Sequence, residues 1–356
     1  MKIIIDIGHP AHVHLFKNMA WKLLQKGHDV LFTLREKEFE IELLRSYGFQ
    51  YKSFGKKHNS LPGKFIGLLK FDYLETITAL KFKPDLFLSH GSIYAAHASA
   101  ILRKPHIALE DTGNMEQIVL YRPFTRAIIS PNIIGEELGP KHILYPGYHE
   151  LAYLHPRYFT PDTSIYSLLK IPDHSPFAIL RFISWNATHD IGKMGISSKL
   201  KKEIINHLSS RMKVFLSSED QNSDEFSAYR INIPPERMHD ALSCATLYIG
   251  EGTTMAAEAA IVGTPSFYVS NVRGQNCDDL EKYGLAFNFK NTDGLISKID
   301  QVLNLPDLKK EWRARSEKML KEKIDLTSFL CWFVENYPES FKIVRKDNYS
   351  YSEFME

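Results

Sequence analysis

The chain has 356 residues, 44% of them hydrophobic and 24% charged, which is ordinary for a globular protein and long enough for two α/β domains with separate cores. Its 44 basic and 42 acidic side chains leave a formal net charge of +2, so no bulk field points to nucleic acid as a partner. The basic runs at Lys199, Lys201 and Lys202 and from Lys309 to Lys323 alternate with apolar or acidic residues and read as solvated helix faces.

Taken in chain order, Lys2 to Ile7 is a β-branched run with little alternation, as expected of a central parallel strand. A loop, Gly8 to His12, leads to a helix from His14 to Gln25, closed by Gly27, and then a strand from Asp29 to Thr33. Arg35 to Tyr47 reads as helix, Phe49 to Tyr51 as a short strand, Gly55 to Gly63 as a loop and Phe65 to Lys81 as helix. Strands follow at Leu86 to Ser89, His106 to Leu109, Ala127 to Ser130 and Ile143 to Tyr145, with a small-residue helix from Tyr94 to Leu102. Pro156 to Pro176 reads as a linker. A second set then begins with a strand at Phe177 to Phe182, a helix at Ser197 to Ser209 and a strand at Lys213 to Ser217. It continues with helix Arg237 to Cys244, strand Leu247 to Ile249, helix Thr253 to Val262 and strand Ser266 to Val269, and helix dominates from Thr292 onward. Two successive sets of alternating strands and helices predict two doubly wound, Rossmann-like domains.

The three cysteines, Cys244, Cys277 and Cys331, are far apart and form no CxxC pair, so the sequence predicts no disulfide framework or cysteine zinc site and a reducing compartment. The start, MKIIIDIGHPAHVH, lacks the pattern of a secretory signal. Apolar runs stay far short of the ~20 residues needed to span a bilayer. A cytoplasmic protein is the expectation, with peripheral contact at the inner membrane face through the aromatic and basic stretch Lys56 to Phe71.

Four features can carry chemistry. Gly250-Glu251-Gly252-Thr253-Thr254 joins a strand end to a helix start, placing free backbone N–H groups and the positive end of a helix dipole at the carboxyl edge of a sheet. Glu258, about one turn further, lies on the side of Thr254 and can accept hydrogen bonds from a ribose diol. The plainer reading is a capped helix with Glu258 exposed. Second, the first loop holds His9, His12 and His14; without an adjacent ligand set beyond Asp6, a histidine facing a cleft here suits general base work or anion binding better than metal, the plainer reading being that one or more of the three caps or packs, as is expected of His14. Third, Glu110 and Asp111 follow a strand, where α/β enzymes keep their sites, or else cap a helix around Asn114. Fourth, Arg181 ends the first strand of the second set, where it would face a pyrophosphate or else make a surface ion pair.

These pieces, in this order and spacing, resemble the GT-B-like family called domain of unknown function 354. More distantly, the chain is similar to the N-acetylglucosaminyltransferase that forms lipid II and to the UDP-N-acetylglucosamine 2-epimerases. The likeness runs from Lys2 to about Gly284. Ala11 to Val30 resembles the transferase's first loop, helix and second strand, with His12 in place of its loop histidine. Pro84 to Ile107 resembles its strand, helix and strand, putting Glu110 at its acidic position, and Tyr145-Pro146-Gly147 resembles its hinge. Gly252, Glu258, Gly263 and Pro265 fall in its spacing, so the resemblance makes Glu258 the ribose ligand. Ile233 to Met238 is similar to the segment whose backbone reads the base, and Asn276 falls where an asparagine lies near the sugar. Arg273 stands in register for the family's glutamine, with Gln275 displaced by two positions. His189 and Asp190 are the candidates for the epimerases' histidine and acidic set.

The resemblance implies a GT-B fold: two Rossmann-like domains facing a cleft, with boundaries at 1–155 and 156–325, and C-terminal helices from 326 to 356 packing back on the first domain. It implies a metal-independent glycosyltransferase of surface polysaccharide or glycoconjugate synthesis. The catalytic candidates are His12, Glu110 and Asp111. The nucleotide-sugar side would be Arg181, Met238, Gly252, Thr253, Thr254, Glu258, Gln275 and Asn276. No cofactor or metal is expected; a nucleotide-diphosphate sugar, UDP-linked, is the donor, and a sugar or lipid-linked molecule the acceptor. An NDP-sugar epimerase and a non-catalytic sugar-nucleotide-binding protein are the alternatives.

Overall fold

A computed structural model of the chain describes residues 1–56, 61–135, 137–182, 196–218, 224–272 and 274–355. They form two compact units, Met1–Tyr158 with Glu322–Glu356, and Phe159–Lys321.

The first unit follows the chain as β1 (Lys2–Ile7), α1 (Pro10–Gln25), β2 (Asp29–Glu36), α2 (Glu40–Ser46), β3 (Tyr51–Lys56), α3 (Leu61–Phe82), β4 (Leu86–His90), α4 (Ile93–Leu102), β5 (His106–Leu109), α5 (Met115–Tyr121), β6 (Ala127–Pro131), β7 (His142–Tyr145) and α6 (Leu151–Leu154). Its sheet runs β3-β2-β1-β4-β5-β6-β7, with every pairing parallel. All carboxyl ends therefore share one edge. Ile3, Ile4, Ile5 and Ile7 are fully buried, as a strand covered on both faces requires. The chain returns to this unit with α14 (Leu326–Glu335) and α15 (Glu339–Val344), and α14 packs on α1 and α6. The exit and the return lie side by side, since the Tyr158 hydroxyl donates to Asp325 Oδ2 at 2.7 Å.

Several elements differ from the sequence reading. α1 starts at Pro10 rather than His14, because His9 caps it by accepting from the Ala11 N–H and Pro10 supplies a pre-set φ at the first helical position. β2 continues to Glu36 instead of yielding to a helix at Arg35: Arg35 is buried and paired with Asp6 of β1, which holds it in the sheet. The short strand expected at Phe49 to Tyr51 lies at Tyr51–Lys56 instead. The alternative helix around Asn114 is real and forms α5, with Asn114 in the cap position.

The second unit contains α7 (Ile165–Leu168), β8 (Phe177–Phe182), α8 (Ser198–Ser209), β9 (Lys213–Ser218), α9 (Met238–Cys244), β10 (Leu247–Gly250), α10 (Thr253–Ile261), β11 (Ser266–Val269), α11 (Gln275–Lys282), β12 (Ala286–Phe289), α12 (Leu295–Leu303) and α13 (Leu308–Leu320). The sheet order is β12-β11-β10-β8-β9, again all parallel. The stretch read as a linker is packed: Ile165 and Tyr166 enter a core with Phe177, Leu242 and Tyr248. α11 and β12 were not anticipated. Both are short, and β12 carries no β-branched residue to announce a strand. None of the three cysteines is in a disulfide. Among the described residues no helix is long and apolar enough to cross a membrane.

Candidate functional site

Each unit gathers polar side chains at the carboxyl edge of its sheet. In the first unit the segments after four strands contribute: His12 in the first turn of α1, which follows β1, His90 at the end of β4, Asp111 two residues past β5, and His149 four past β7. His90 Nε2 donates to Asp111 Oδ1 at 2.8 Å, and His149 Nδ1 lies 3.0 Å from Asp111 Oδ2. His12 stacks on His90, with ring centroids 4.4 Å apart and planes 25° from parallel. The Asp111 side chain keeps 23% of its exposure, against 10% for His90 and 6% for His149, so the carboxylate is the part that solutes can reach.

The electrostatics follow from this packing. Burial works to raise the Asp111 pKa, but the charges of His149 and His90 outweigh it and hold the carboxyl well below its usual range. Burial works to lower His90, and Asp111 overrides it, so that ring's pKa is raised. His12 is lowered well below the ordinary histidine value by burial and by its neighbours His90 and His9. Its Nδ1 accepts from the Gly8 N–H at 3.3 Å, so the proton of neutral His12 in this arrangement sits on Nε2.

The other candidates of this unit are placed differently. Glu110 is buried, and both its oxygens are occupied: Oε1 accepts from the Thr112 and Gly113 N–H groups and the Thr112 hydroxyl, and Oε2 from Tyr121. Four donors make it the anchor of the turn after β5. His14 is buried against Tyr47, and His9 caps α1 and faces Glu38.

In the second unit, α10 opens at Gly252 with no side-chain cap, leaving its first N–H groups to other partners. α11 opens at Gly274, also without a side-chain cap. The two starts converge: a Cβ on Gly274 would lie 2.7 Å from Thr253 Cγ2. Thr254 is exposed at this end, and Gln275 and Asn276 are half-buried in the first turn of α11. Glu258 is buried, not exposed, and His239 Nε2 of α9 donates to its Oε1 at 3.1 Å. Arg181, at the end of β8 beside Gly250, donates to the Ser217 hydroxyl at 3.0 Å. Met238 begins α9 and packs against the core, so its segment sits beside the Glu258–His239 pair. Glu251 is turned inward and accepts from the Ile196 N–H. Arg273, His189 and Asp190 lie outside the described residues.

Sequence reasoning missed His90, His149 and His239. The first two stood in reach of the rule that selected Asp111, because each follows a strand of the same parallel sheet. His239 had no such signal: it comes from a helix and meets Glu258 only through packing.

No curated protein sequence matches the chain. Among solved structures it is similar to the UDP-GlcNAc 2-epimerase of Neisseria meningitidis bound to UDP-GlcNAc, at 15% identity and TM-score 0.58 over 88% of this chain and 94% of that one. It is similar to the UDP-GlcNAc 2-epimerase of Methanocaldococcus jannaschii in complex with UDP-GlcNAc and UDP, at 13% identity and TM-score 0.60 over 86% and 94%. It is also similar to a glycosyltransferase of Streptomyces sp. SF2575, at 14% identity and TM-score 0.57 over 94% and 100%. At such identities the likeness is one of fold, and it identifies the two Rossmann-like halves as those of the GT-B fold. The profile described as protein of unknown function (DUF354) matches residues 1–337, and the chain belongs to that family.

Proposed function

We propose that the protein is a GT-B glycosyltransferase that uses a nucleotide-diphosphate sugar, UDP-linked, in surface polysaccharide or glycoconjugate synthesis. The observation that carries this reading is the meeting of two uncapped helix starts, at Gly252 and Gly274, in the unit that also holds the Glu258–His239 pair. Converging N–H groups and two helix dipoles favour an anion. The diphosphate is assigned to Gly252, Thr253 and Thr254 with Arg181, where these donors stabilise charge developing on the leaving nucleotide. Glu258 takes the ribose hydroxyls and His239 positions it; the segment ending at Met238 takes the base, and Gln275 and Asn276 the sugar.

On the first unit, His12 with Asp111 takes the acceptor's proton, and Glu110 holds the turn that presents Asp111. For His12 Nε2 to accept a proton, its own must move to Nδ1, and the Gly8 contact that opposes this is long at 3.3 Å. The acceptor is a sugar or a lipid-linked sugar. Leu69, Tyr73 and Leu80 of α3 are 58%, 64% and 53% exposed, which supports contact with a lipid surface. Co-sedimentation with anionic vesicles checks that point.

A thermal-shift screen against UDP, GDP, CMP, dTDP and their sugars tests the donor, since stabilisation follows RT ln(1 + [L]/Kd). A rise with one nucleotide family supports the reading; no rise with any removes it. Incubation with the donor alone then separates transfer from epimerisation, which needs no acceptor. The epimerase reading stays in view because His12, His90 and Asp111 offer both proton donors and acceptors in one place. Tight binding without turnover on any acceptor would leave a sugar-nucleotide-binding protein.

A further inference from the structure

Two observations at the sheet edge of the first unit have no part in a simple histidine–aspartate base. First, His90, Asp111 and His149 each bring one ligand-type atom within 4.8 Å of the others. Among the described residues no other such group forms. Second, His149 is buried with its side chain 6% exposed, yet neither ring nitrogen has a hydrogen-bond partner. Nδ1 stands 3.0 Å from Asp111 Oδ2 without the alignment a hydrogen bond needs. Buried imidazole nitrogens left unpaired cost free energy, and a lone pair aimed beside a carboxylate and a second imidazole is what a cation uses.

We infer that His90, Asp111 and His149 form a binding site for one zinc-class divalent transition-metal ion. The chemistry of the donors fits: two neutral imidazoles and one carboxylate suit borderline metals and leave positions open for water or a hydroxyl. The spacing fits as well. Ligands about 2.0–2.2 Å from such an ion lie about 3.0–3.6 Å from one another, so the 2.8 and 3.0 Å contacts to Asp111 open slightly, while the two imidazole nitrogens, within 4.8 Å of each other, settle to the same spacing. The three ligands come from strand ends of one rigid parallel sheet, and Asp111 leaves the site reachable. An ion here would acidify a bound hydroxyl, beside His12. This departs from the expectation of a metal-independent enzyme on the first unit only. The inference does not rest on the nucleotide-sugar reading, and metal binding is measured without any nucleotide.

The test is titration of chelator-stripped full-length protein with Zn2+ and with Co2+. Expected are one ion per chain, the visible d–d absorption of a low-symmetry Co2+ site, and a loss of affinity by more than about 100-fold in His149→Ala and in Asp111→Asn, exceeding what outer-shell changes cause. His207→Ala, which removes a half-buried histidine paired with Asp300 in the second unit, is expected to bind like wild type. No ion bound, or equal binding by wild type, His149→Ala and Asp111→Asn, overturns the site. Should those variants not fold, X-ray absorption on the wild-type zinc form decides: two imidazole ligands support the site, and fewer overturn it.

Discussion

Tyr248 folds its phenol back over Gly250, its neighbour on the same face of β10. A Cβ on residue 250 would lie 2.6 Å from the Tyr248 ring carbon Cζ and closer still to its hydroxyl. The glycine that opens the Gly250-to-Thr254 motif is therefore required by packing, whatever ligand the motif meets. Gly250→Ala is expected to cost about 1–3 kcal/mol of stability by denaturant unfolding. Combined with Tyr248→Ala, it is expected to cost less than the sum of the two single changes.

Glu258→Ala is expected to weaken nucleotide binding by about tenfold or more, the loss of a hydrogen bond to a charged group. His239→Ala is expected to act in the same direction with a smaller loss, because it removes only the group that orients the carboxylate. Calorimetric titration with UDP checks both, and wild-type affinity in Glu258→Ala would count against the nucleotide site.

His12→Ala is expected to lower turnover by about 10²–10⁴ while leaving nucleotide affinity near wild type, as removal of a proton-transfer group does. Steady-state kinetics alongside direct binding make the separation.

The pair Asp6–Arg35 is buried together with Glu75, and the Thr33 hydroxyl lies within hydrogen-bond distance of both carboxyl groups. Burial, then the charge of Asp6, hold the Glu75 carboxyl well above its usual range, which favours its neutral form. Glu75→Gln is accordingly expected to change stability by less than about 1 kcal/mol. Arg35→Met strands the Asp6 charge and is expected to cost about 3–5 kcal/mol. Urea unfolding curves distinguish the two.

His106 lies fully buried between Ser89 and Thr125, and burial lowers its pKa to about 3. The unfolded chain takes up a proton there at about pH 6.5, while the fold refuses it. Stability is therefore full above pH 6.5 and falls as the pH drops toward 3, by about 2 kcal/mol at pH 5. His106→Asn is expected to be less stable at pH 7.5 but to show a flatter loss between pH 7.5 and 5.

Most strands were legible because buried parallel strands are written as apolar runs bounded by glycine, proline and polar residues; β1 and β8 are read directly. Arg35 misled for a physical reason: a charged residue signals a strand's end unless a buried carboxylate awaits it, and Asp6 lies far away in sequence. At the sites, the glycine motif and Asp111 were visible as residues at strand ends. The partners that give them their character, His239 for Glu258 and His149 for Asp111, were not, because pairs across helices or across three strands leave no local trace.

The second unit is spliced into the first as a guest, entering after Tyr158 and leaving before Asp325, two residues joined by a hydrogen bond. The contact between α1 and α14 is thus the closing of a loop that contains an entire folding unit. Loop closure grows costly only with the logarithm of length, and a guest already folded shortens the effective path. A newly made chain consequently completes its first unit last, and damage to the guest is felt in the host through the probability that the loop closes.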